Sequence, residues 1–90
     1  MERTKVAFIF VTEDANPVVN HSLVFTPGVE FHTVGVPDFA SGAAEAAKFS
    51  DAGFVLIELC AGFGEEGTAL VVDAVRGKTK VGACSIVYEP

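Results

Sequence analysis

The sequence has no tryptophan, one tyrosine, one methionine and two cysteines in 90 residues. Cys60 and Cys84 are far apart in sequence and lie in or beside strand patterns, so they read as reduced, mostly buried thiols; a disulfide between them stays open. Basic residues are equally scarce, six Lys and Arg against twelve Asp and Glu, for a net charge of −6. Nucleic acid is excluded, because phosphates need clustered Lys and Arg. Long hydrophobic runs are missing too. The longest, residues 6–11 and 54–57, fall far short of the ~20 residues of a membrane helix. Residues 1–5 run straight into a strand without the apolar region or cleavage site of a signal peptide, so a cytoplasmic location is the expectation. GxxxxGK[ST] does not occur, and no Ser/His/Asp set is distinguishable. His21, His32, Glu58, Cys60 and Cys84 show no close ligand spacing such as CxxC or HxxxH, which gives no metal site. No cofactor is indicated.

What is present is apolar side chain: 50% of residues are hydrophobic and only 20% charged. Ninety residues make one domain, residues 1–90, and a domain this short buries roughly two thirds of its unfolded surface. That is more apolar material than one small core hides. The surplus predicts a homo-oligomer whose interface buries the remainder; a monomer with an unusually apolar surface is the alternative.

Along the chain, residues 5–12, KVAFIFVT, form a continuous apolar, β-branched run suited to a strand covered on both faces. Asn16 is a good helix cap and Pro17 a good first residue, predicting a short helix over 17–25 that Pro27 ends. Residues 29–36, VEFHTVGV, alternate, with Glu30 and His32 opposite Val29, Phe31 and Thr33. This fits a half-exposed strand at a sheet edge. Asp38 caps a second helix whose Phe39, Ala43, Ala46, Ala47 and Ser50 recur at helical spacing, and Gly53 stops it. A third strand starts at Phe54, a third helix spans 68–76, and a last strand spans 81–88. The expected fold is therefore α/β, a single small domain βαβαβαβ with a four-stranded, mostly parallel sheet. The two most apolar strands belong in the middle, which favours the flavodoxin-like order 2-1-3-4 with helices on both faces. Half of a (βα)₈ barrel, in order 1-2-3-4, is the alternative.

In open α/β sheets ligands bind beyond the carboxyl ends of the strands. Under the favoured order the first and third strands end together, gathering Thr12, Glu13, Asp14 and Asn16 with Glu58, Cys60, Gly62, Phe63, Gly64, Glu65 and Glu66. Glycines admit a ligand close to backbone, but the carboxylates oppose a phosphate. Glu58 stands inside an apolar strand, where an ionisable group is paired, protonated or solvent-facing. It is a candidate general acid or base, or one half of a structural ion pair. Cys60 beside a helix start is a candidate nucleophile, with packing as the other reading.

The KVAFIFV strand, the TPGVE turn with its following VGV, and above all IELCAGFGEEG with a downstream VG-type strand resemble a family of small uncharacterised microbial proteins, a domain of unknown function. The resemblance covers essentially the whole chain, with Ala61 standing where many relatives are expected to carry glycine. It implies a compact α/β domain and transfers no catalytic residue. Two functions remain from the residues themselves. One is a homo-oligomer binding a small metabolite or ion at the ends of the first and third strands, through Glu13, Asn16 and the 62–66 turn. The other is an enzyme using Glu58, with Cys60, on a small carbonyl or sugar-like substrate.

Overall fold

The computed structural model describes residues 2–90; Met1, the first residue of the N-terminal stretch 1–5, lies outside them. The order is β1 (Thr4–Val11), β2 (His21–Phe25), β3 (Val29–Val36), α1 (Phe39–Asp51), β4 (Leu56–Leu59), α2 (Gly64–Val75) and β5 (Lys80–Ala83), with a 3₁₀ turn at Ala61–Phe63. The sheet runs β2-β3-β1-β4-β5. β1 pairs in parallel with β3 and β4, and β4 with β5, whereas β2 is antiparallel to β3. The fold is thus a small α/β domain with a mixed sheet. It is not the four-stranded parallel order expected, although its parallel strands follow that order, and it is not half a sequential barrel.

The fifth strand replaces the helix expected over residues 17–25. Asn16 does begin a turn: its Oδ1 accepts from the Val18 N–H at 2.9 Å, and its carbonyl accepts from Val19 and Asn20. Nothing sustains it. A helix this short is marginal by itself, and His21–Phe25, HSLVF, gains more by pairing with the free edge of β3. The connection at Pro27 and Gly28 is a tight hairpin, with Thr26 N–H donating to Val29 O and Val29 N–H to Thr26 Oγ1. β3 accordingly sits inside the sheet rather than at its edge.

Crossover handedness decides where the helices go. The steps from β3 to β4 and from β4 to β5 run in one direction across the sheet, so right-handed connections place both helices on one face. α1 and α2 pack on each other there, which corrects the expectation of helices on both faces. Ala7 and Ile9 of β1, Val34 and Val36 of β3, and Ile57 and Leu59 of β4 point toward them and are buried. Phe63, Val71 and Val75 complete the core.

Glu30 and His32 also fall on the helix side. They meet at 2.7 Å, and the His32 ring stands edge-on to Phe49 and Phe54 at 5.7 and 4.8 Å. The other sheet face carries Val6, Phe8, Phe10, Phe31 and Leu56, and no helix covers it. Beyond the sheet, the strand expected over 81–88 stops at Ala83 because β4 ends at Leu59. Cys84 N–H still donates to Leu59 O at 3.2 Å, and residues 85–90 have no ladder to join. Among the described residues no helix is long and apolar enough to cross a membrane.

Candidate functional site

β1 and β4 are neighbours, with Leu59 at the end of β4 opposite Ile9 and β1 running on two residues to Val11. After β1, Thr12 Oγ1 donates to Asp14 Oδ1 at 3.0 Å and Glu13 is exposed. Asn16 uses its side chain on its own turn, and its N–H donates to Asn20 Oδ1 at 2.7 Å. After β4, Cys60 N–H donates to Ile9 O, and the thiol Sγ accepts from Val11 N–H at 3.5 Å. Half-buried against the core, Cys60 ties the two strand ends together. Gly62 follows so closely that a Cβ on it would lie 3.1 Å from Val11 Cγ1.

Phe63 turns inward. It is 1% exposed and stacks on Phe39 with centroids 5.8 Å apart, so packing fixes its position. Gly64 opens α2 with φ of +59°, and Glu65 and Glu66 stand exposed in the first turn. Their carboxylates occupy the positive end of the helix dipole and disfavour a phosphate there.

Glu58 goes elsewhere. Alternation along β4 sends it to the bare face of the sheet, where its carboxylate lies across Gly82, 2.8 Å from the position of a Cβ. The sheet therefore divides the expected set, with Glu58 on one side, Cys60 in the seam, and Gly64 and Glu65 on the helix side. Among the described residues no three His, Cys, Asp or Glu side chains form a metal-binding group.

A cleft of about 590 Å³ opens one strand further along, between the start of α2 and the segment leaving β5. Glu65, Thr68 and Ala69 line one wall, and Cys84, Ser85 and Val87 the other. Of the residues expected at a site, Gly64 and Glu65 reach it. Ser85 and Val87 escaped the sequence because residues 81–88 read as one continuous strand, and Thr68 and Ala69 because they read as helix beyond the turn. The available signal was the shortness of the neighbouring apolar run, which limits how far a last strand can pair. The Cys84 thiol is exposed, and its Sγ donates to Ile86 O at 3.5 Å.

No curated protein and no solved structure matches the chain. Residues 4–90 match the sequence pattern of the family of unknown function DUF6506, and the chain belongs to that family.

Proposed function

We propose that the protein is a small-molecule-binding domain whose ligand occupies the cleft between α2 and residues 83–87. The observation that carries this reading is the cleft itself: about 590 Å³, mostly apolar, at the carboxyl ends of β4 and β5 where open α/β sheets hold their ligands. Its polar groups are few. Thr68 and Ser85 offer hydroxyls, and Glu65 offers a carboxylate. That set suits a neutral or cationic metabolite with an apolar body and one or two hydrogen-bond donors, and it repels a phosphate. The enzymatic alternative, Glu58 as general acid or base with Cys60, draws no support from this cleft, since Glu58 stands on the other face of the sheet and Cys60 does not line the cleft.

The test is a thermal-shift and calorimetric screen of neutral, cationic and anionic metabolites, repeated on Ala69→Trp. Ala69 is exposed on the cleft wall, so an indole there fills the space without disturbing the core. A hit is expected among the first two classes, with affinity reduced at least ~10-fold in the variant and its melting midpoint unchanged. If nothing binds, or if the indole leaves affinity as it was, the cleft is not the site.

A further inference from the structure

The bare face of the sheet follows from connection handedness. Only a helix stepping back from β1 to β3 would cover it, and that stretch forms β2 instead. Val6 pairs in register with both Phe31 and Leu56, and Phe8 lies next along β1, so the apolar side chains form one continuous stripe. Its Val6, Phe8, Phe10, Phe31 and Leu56 are half-buried, and the chain's own loose segments send large apolar side chains into solvent rather than onto it. Val18 in the turn after β1 is 79% exposed, and Tyr88 in the C-terminal segment is 90% exposed.

We infer that a second copy of this chain covers this face, the two sheets packing against each other about a twofold axis. Size supports it. Five strands ~4.8 Å apart, with ~6 residues each rising ~3.3 Å, present roughly 500 Å² in projection before side-chain relief is added. Two such faces clear the ~1,000 Å² that a specific interface needs.

The total surface agrees. The chain exposes 5752 Å² for a mass of 9.4 kDa, whereas a compact monomer of that mass exposes about 5,000 Å². The surplus of roughly 750 Å², shared by this face and the extended C-terminal segment, approaches one partner's share of a standard interface. Charge agrees as well. The strands place one carboxylate, Glu58, and one ammonium, Lys80, on this face, while the whole chain carries −6. Two copies can therefore meet face to face without like-charge repulsion, which a random pair of surfaces on this acidic protein would suffer.

Light scattering of the purified chain across about 1 to 100 μM, the weak end for interfaces of this size, is expected to give twice 9.4 kDa. Phe8→Glu puts a carboxylate at the centre of the stripe in each copy. It is expected to raise the dissociation constant at least ~100-fold and return the mass to that of one chain, with native circular dichroism. Should that variant fail to fold, Thr33→Arg, beside Phe8 on the same face and removing no apolar contact, makes the same measurement. A single-chain mass for the wild type throughout the range overturns the inference. So does a dimer that survives the folded variant, or one that vanishes when residues 85–90 are removed, since the contact would then belong to the C-terminal segment.

Discussion

Phe63 shows what individual glycines do in this fold. Its ring lies between the two helices, and a Cβ on Gly42 would come within 2.7 Å of it. A Cβ on Gly67 would lie 2.8 Å from Phe39 and 2.9 Å from Phe63. Real side chains essentially never approach that closely, so Gly67→Ala must push two stacked rings apart. Alanine's better helix propensity returns ~1 kcal/mol, against ~1–3 kcal/mol for overpacking a core. Urea denaturation is expected to show a net loss of up to ~2 kcal/mol, and a stabilised variant would mean that the rings have free space. The sequence marks Gly67 as part of a turn; its packing role depends on a ring from another segment and is invisible locally. Glu58 is the opposite case. Its place inside an apolar strand singled it out, but neither the face it takes nor its energetic meaning was readable there. An ionisable group is costly only in a strand covered on both faces, and this sheet has one face open.

At the scale of elements, α1 was legible because all its signals are local. Asp38 sits in extended backbone at φ −156°, and its Oδ1 accepts from Ser41 N–H at 2.7 Å. The hydrogen bonds from Ser41, side chain first and then backbone, hold the Asp38 carboxyl below its ordinary value of 3.8. Lys78, hydrogen-bonded at 2.7 Å, does the same for Asp51 at the other end of the helix. A carboxyl depressed in the folded state adds stability above its unfolded value and loses it as pH falls through the folded one. Asn at position 38 keeps the capping oxygen without titrating. Asp38→Asn is therefore expected to match the wild type near neutral pH and to lose less melting temperature between about pH 5 and 3; parallel curves would remove Asp38 from the pH response. The 17–25 segment was misread for a complementary reason. Asn16 and Pro17 are real helix-start signals, but the competing attraction is the unpaired edge of β3, a partner that no local window contains.

At the scale of the whole molecule, the sequence announced a surplus of apolar residues without saying where it would lie, because helix placement follows from strand order and crossover direction rather than from composition. The structure divides the surplus between the bare sheet face and the C-terminal segment, where Ile86, Val87 and Tyr88 are exposed. These two regions make separable contributions. The last ladder bond is Cys84 N–H to Leu59 O, and the core contains no residue beyond it. Ending the chain at Cys84 should therefore change stability by no more than about 1 kcal/mol, as for other changes at exposed positions. It should also leave the mass in light scattering unaltered, since the sheet face is intact. What it removes is Ser85 and Val87, the outer wall of the cleft. A ligand identified in the screen should then lose at least ~10-fold in affinity, because a pocket open on one side cannot bury most of a small molecule's surface. Urea denaturation, light scattering and calorimetry on this one shortened chain separate the roles. Unchanged affinity would move the ligand away from the cleft, and lost stability would mean that the C-terminal segment holds the fold together.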